Sequence, residues 1–115
     1  TAPGVVAGEF DKNVYKFENA QFNCIIEDFK EFESLLHQLR NGKPYQILLT
    51  VSPVPLKATA SNEHVLVAST YSKAILRAVA GELTSKNKHI SYFPSYEIIN
   101  NPKHKSGAFL KNLRD

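Results

Sequence analysis

Tyr45-Gln46-Ile47-Leu48-Leu49-Thr50-Val51-Ser52-Pro53-Val54-Pro55 decides how this chain is read. Residues 45–51 are a short apolar run, too short for a helix of ordinary length, and two prolines stop it abruptly. Apolar positions on both faces of such a run predict a central parallel strand. Asn41-Gly42 and Pro44 lie just upstream and end whatever precedes the strand. Before them, Ile25, Ile26, Phe29, Phe32, Leu35, Leu36 and Leu39 recur at steps of three and four. That spacing predicts a helix over 23–41 with one apolar face. Asn23 is its expected N-cap, and Glu27, Asp28, Glu31 and Glu33 in its first half suit the helix dipole.

Downstream, 56–64 reads as a loop, Val65-Leu66-Val67 reads either as extended or as the start of a helix, and a second helix is expected from about Ser69, with Tyr71, Ala74, Ile75, Ala78, Val79 and Leu83 facing inward. Thr84-Ser85-Lys86-Asn87 ends it, and Ile90-Ser91-Tyr92-Phe93 is a second strand stopped by Pro94. Residues 95–107 read as a loop and 108–114 as a final helical turn. Strand, helix and strand make a βαβ unit, expected to be parallel and right-handed. Ahead of the first helix, Pro3, Gly4 and Gly8 interrupt regular structure, so 1–22 is an extended arm whose aromatics, Phe10, Tyr15, Phe17 and Phe22, should pack onto the body. The whole of 1–115 is one partial α/β domain, because two strands alone make a poor sheet. The remaining strands are expected from the arm, from a second copy, or from polypeptide outside this sequence.

At 115 residues, with 43% apolar and 22% charged residues, the chain fits one globular domain. Its net charge of +3 is small. Residues 1–57 carry six basic and seven acidic groups, and 58–115 carry eight and four. That surplus lacks the dense basic stripe with interleaved aromatics that nucleic-acid binding needs. No apolar run reaches the roughly 18–20 residues of a membrane span, and no signal-peptide pattern is present. The single Cys24 excludes an internal disulfide and a cysteine-rich zinc site, and is read as a small packed residue. His37, His64, His89 and His104 show no metal-ligand spacing, so neither a metal nor any other cofactor is expected. With no methionine, the chain is read as part of a longer protein.

Four residues are candidates for contacting a substrate: Ser52, Ser72, Tyr96 and Glu97. Functional groups in open parallel sheets gather at the carboxyl ends of strands. Ser52 follows the first such end, and Tyr96 and Glu97 follow the second. For Ser52 the competing reading is a strand stop bonded to local backbone. Glu97 would serve as acid or base if burial raised its pKa; otherwise it pairs with a basic neighbour. Ser72 and Lys73 would meet an anion if they opened the second helix; otherwise Tyr71 packs and Ser72 caps. Tyr71 and Lys73 do not form a dehydrogenase pair, since a step of two points them apart.

Leu48-Leu49-Thr50-Val51-Ser52-Pro53-Val54-Pro55-Leu56, Tyr71-Ser72-Lys73-Ala74-Ile75-Leu76-Arg77 and Tyr92-Phe93-Pro94-Ser95-Tyr96-Glu97-Ile98, in that order, resemble the GSCFA family. Thr1-Ala2-Pro3-Gly4 and Phe109 to Arg114 are similar to its flanking segments, so the resemblance spans nearly the whole chain. It implies an SGNH- or GDSL-type hydrolase scaffold, a flavodoxin-like three-layer α/β sandwich of short parallel strands and flanking helices. It also implies serine esterase or acyltransferase chemistry, with acylated glycans as a candidate substrate class, in a bacterial cytoplasm. The family's Gly-Ser-Cys-Phe-Ala motif does not occur here, so the chain corresponds to the C-terminal half of the domain. Where relatives carry Asp-x-x-His, this sequence has Asn112-Leu113-Arg114-Asp115. The family's helix-opening Thr-x-x-Glu appears as Cys24-x-x-Glu27. Without nucleophile and base the triad mechanism cannot run, so no catalytic residue is assigned and the isolated chain is expected to be inert. The partner expected is the N-terminal part of the domain or a second copy. The alternative is a noncatalytic interaction module that self-associates through its open sheet.

Overall fold

A computed structural model describes residues 13–14, 16–56 and 61–101. Five elements follow in order: α1 (Phe22–Leu39), β1 (Ile47–Thr50), α2 (Val65–Lys86), β2 (Ile90–Phe93) and α3 (Ser95–Asn100). The strands pair in parallel, Ile47 opposite Ile90 and Thr50 opposite Phe93, with α2 as the crossover. The backbone N–H of Ile47 donates to the His89 carbonyl at 2.8 Å. Since successive residues present their backbone groups to alternate sides, Leu49 also faces β2. Leu48 and Thr50 face the other edge.

Sequence and structure agree closely at the end of α1. Asn41 and Gly42 both have positive φ, 53° and 74°. The Gly42 N–H donates to the His37 carbonyl at 3.1 Å and the Asn41 N–H to that of Gln38 at 3.0 Å. This double closure satisfies the last helical carbonyls and turns the chain sharply toward β1. The start of α1 departs from expectation. Gln21, not Asn23, is the N-cap, and it makes no side-chain capping bond. No acidic residue lies in the first turn, and Cys24 is exposed rather than packed. Phe22 starts the helix instead of ending the arm, because its ring joins the core.

Helix α2 begins four residues before Ser69. His64 caps it, its Nδ1 accepting the Leu66 N–H at 3.1 Å. The cap outweighs the poor helix propensity of Val65 and Val67. At the other end Asn87 Nδ2 donates to the Leu83 carbonyl at 2.9 Å. The segment after Pro94, read as loop, forms α3 over its first six residues.

Val79, Leu83 and Ile90 form the buried core, with Phe22, Ile25, Ile26 and Phe29 of α1, Ile47 and Leu49 of β1, and Ile75 of α2 packed against it. Both long helices therefore lie on one face of the β1–β2 ribbon. The opposite face is bare: Leu48 is 67% exposed and Phe93 50%. This corrects the expectation of a strand buried on both sides, since β1 alternates half-buried and exposed positions. The described residues are thus a mixed helix–strand unit in two layers around a two-stranded parallel sheet. Phe17, expected to pack, is 46% exposed. Phe10, Tyr15 and the final turn at 108–114 lie outside the described residues. No described helix is long and apolar enough to cross a membrane.

Candidate functional site at the strand ends

At the carboxyl end of the ribbon, two hydroxyls meet among the ends of β1 and β2 and the start of α3. Thr50, last in β1, points away from the helices, and its Oγ1 donates to the Phe93 carbonyl at 3.0 Å. Ser95, first in α3, donates from Oγ to the Val51 carbonyl at 3.0 Å. The Thr50 and Ser95 hydroxyls also contact each other. Two hydroxyl protons serve three contacts, so one contact lacks a proton in every arrangement. Ser52, one residue beyond, accepts the Val54 N–H on Oγ at 3.2 Å. That is the local backbone turn weighed as the alternative for this residue. Behind it, buried Ser69 of α2 accepts the Leu56 N–H on Oγ at 3.0 Å, tying the Ser52–Leu56 segment to the helix.

On the helical side, Arg77 of α2, Tyr92 of β2 and Glu97 of α3 form one cluster. The Arg77 guanidinium lies 4.1 Å from the centre of the Tyr92 ring. Its Nε donates to Glu97 Oε1 at 2.6 Å. The Tyr92 hydroxyl reaches both carboxylate oxygens, at 3.0 and 2.8 Å. Burial pushes the Glu97 carboxyl up, but hydrogen bonds from Tyr92, its own backbone N–H and Arg77, with the Arg77 charge, hold it below the usual range. Burial, then the bond to Glu97, raises the Tyr92 phenol. The condition for Glu97 to act as an acid near neutrality, a raised pKa, is therefore not met. Its carboxylate is committed to Arg77 and Tyr92, the pairing reading considered from the sequence.

The remaining candidates separate. Tyr96 is half-buried on α3, and its carbonyl accepts from Asn100 Nδ2 at 2.9 Å. Ser72 and Lys73 lie about two turns inside α2, so neither caps it nor meets an anion at its N-terminus. That expectation fell because the helix starts at Val65. Tyr71, expected to pack, is 47% exposed. The structure thus brings Ser52, Tyr96 and Glu97 to one end of the sheet and leaves Ser72 on the crossover helix.

Sequence reasoning missed Thr50, Ser95, Tyr92 and Arg77 as partners. It also missed a second cluster at the amino end of the strands. There Glu33 Oε2 accepts from the Tyr45 hydroxyl at 2.7 Å and lies 2.7 Å from His89 Nε2. A carboxylate only accepts, so Nε2 carries the proton. The Tyr45 and His89 rings meet edge to face, with centres 5.4 Å apart. Burial raises the Glu33 carboxyl, but the bonds from His89 and Tyr45 and the His89 charge outweigh it and leave it lowered. Among the described residues no three His, Cys, Asp or Glu gather to hold a metal.

A parallel β-α-β unit places the described residues in the α/β class. The chain belongs to the GSCFA family, whose model matches residues 2–115. No curated protein and no solved structure matches it.

Proposed function

We propose that this chain builds the second half and one pocket wall of an SGNH-type serine esterase or acyltransferase domain, and is inert alone. The observation that carries the reading is the set of hydroxyls, Thr50, Ser52 and Ser95, at the carboxyl ends of two parallel strands in a GSCFA chain. That end is where an α/β sheet of this kind receives ligands. Ser52 and Tyr96 contact the substrate, an acylated glycan being the class the family likeness favours. Glu97 orients the loop through Arg77, and Ser72 acts from the helix behind it. The three-layer sandwich is completed by the N-terminal part of the domain, which supplies the nucleophile, in a cytoplasmic setting. Neither a nucleic acid nor a membrane surface is a partner in this reading. A noncatalytic, self-associating module is the second reading, favoured by the bare apolar face at Leu48 and Phe93.

The test is a fluorophosphonate probe applied to this chain and to the full-length polypeptide that carries it, with the labelled residue located by mass spectrometry. Labelling of a serine upstream in the full-length protein, with none in this chain, is the expected result. Labelling of Ser52 or Ser72 in the isolated chain overturns the claim of inertness. Absence of labelling in both folded proteins removes the hydrolase reading and favours the module.

A further inference from the structure

Helix α2 carries two cations one turn apart, Lys73 and Arg77, and only one of them is tied down. Side chains four apart share one face of a helix, and like charges there repel. The Arg77 guanidinium is fixed on three sides. Its Nε donates to Glu97 Oε1 at 2.6 Å, and its Cζ lies 4.1 Å from the centre of the Tyr92 ring. On the third side Gly81, one turn further along, leaves room for Nη1, since a Cβ at that position would stand 3.3 Å from it. Glycine inside a helix is otherwise unfavourable. Of the five N–H donors of Arg77, Nε alone is used. Among the described residues the four on the η nitrogens meet no acceptor, and the side chain is 41% exposed. The result is a cation held in one orientation with its fork open.

The charges around that fork do not balance. Strand β2 and helix α3 supply one acid, Glu97, and the acid of α2, Glu82, pairs with Lys86. Lys73 has no ionic partner among the described residues. Lys73, Arg77 and Glu97 together therefore carry one net positive charge. Helix α2 runs from the carboxyl end of β1 back to the amino end of β2, so Lys73 lies one turn nearer the strand carboxyl ends than Arg77. Tyr96 and Glu97 follow β2 at that same end. Two η nitrogens in a fixed plane match the two oxygens of a carboxylate, and an ammonium beside them adds a point charge. One negative charge balances the group, whereas a phosphate dianion overshoots it. Resting on the reading of the strand carboxyl ends as the ligand-receiving end, we propose that the substrate carries a carboxylate, bound by the η nitrogens of Arg77 with Lys73 as the second cation. Glu97 and Tyr92 position Arg77 for it. On the glycan reading, that carboxylate belongs to a uronic-acid sugar.

The probe is sodium glucuronate, titrated at low salt into the isotopically labelled full-length polypeptide, with glucose and sodium phosphate as comparisons. The side-chain N–H resonances of Arg77 should shift and saturate with a dissociation constant of about 1–10 mM, and glucose should not move them. Lys73→Gln, which leaves the Arg77, Tyr92 and Glu97 cluster whole, should weaken binding about tenfold, and Arg77→Gln should abolish it. The proposal is overturned by a titration that does not saturate by about 100 mM, or by equal shifts with glucose. Phosphate binding as tight as that of glucuronate overturns it too, as does unchanged glucuronate binding in either variant. Saturable glucuronate binding without fluorophosphonate labelling keeps the carboxylate site and removes the hydrolase reading. Labelling without glucuronate binding does the reverse.

Discussion

The two ends of the β1–β2 ribbon use their polar groups differently. At the amino end, Glu33, Tyr45 and His89 satisfy one another side chain to side chain, with the Glu33 side chain only 19% exposed. At the carboxyl end, Thr50 and Ser95 bind backbone carbonyls, and the Arg77 and Glu97 side chains stay 41% and 40% exposed. The amino end is a closed structural tie. At the carboxyl end the Thr50 and Ser95 hydroxyls touch each other and join the two strand ends. The carboxyl end also holds a side-chain cluster, Arg77, Tyr92 and Glu97, so the two ends differ in exposure and in their use of backbone acceptors.

Substitutions can sharpen that contrast. Leu83→Ala empties the core beneath both ends and should lower unfolding free energy by about 3 kcal/mol in urea titration. Leu48→Ser on the bare face should change it by less than about 0.5 kcal/mol. Similar losses at both sites would mean the two faces are equally covered in this chain. Glu33→Ala leaves Tyr45 and His89 without their acceptor and should cost about 2 kcal/mol.

The pH dependence follows from the lowered Glu33 carboxyl. Its contribution is complete above the unfolded carboxyl value of about 4.3 and is lost as pH falls through the lower folded value. Between pH 5 and 2.5 the wild-type melting temperature should therefore fall more steeply than that of Glu33→Gln. Parallel curves would remove the tie. At the carboxyl end, Glu97→Gln should cost no more than about 1 kcal/mol, because solvent screens the Arg77 pair. Thr50→Val and Ser52→Ala should each stay within about 0.5–1 kcal/mol by thermal unfolding. A loss at Thr50 as large as that at Glu33 would make the carboxyl end a structural tie as well.

Much of the fold was legible because its signals are local. The three-and-four spacing from Ile25 to Leu39, the Asn41-Gly42 stop, and the prolines after each strand all act within a few residues. Ile90–Phe93 matches the expected strand in full. What the sequence hid depends on tertiary partners. His64 becomes a cap only once its ring accepts the Leu66 N–H, and Val65-Leu66-Val67 alone reads as either strand or helix start. The exposure of Leu48 reflects which faces the helices cover, and the run of apolar residues does not state that. Strand-end logic placed Ser52, Tyr96 and Glu97 at one end of the sheet. The helix-N-terminus reading of Ser72 failed, because it depended on a helix boundary that lies at Val65. Arg77, Tyr92 and Glu97 were each visible as residues, but their meeting across α2, β2 and α3 is a product of packing.

The parallel ladder carries one more consequence, for the order in which the chain acquires structure. Thr50 and Phe93 are 43 residues apart in sequence, and no hairpin brings the strands together. Closing so long a loop is entropically unfavourable until α2 has formed and docked. Four residue pairs offer little in return, so the ribbon should be the last part of this unit to form and the first to open. During synthesis, β1 emerges well before its partner and carries no charge to discourage other contacts.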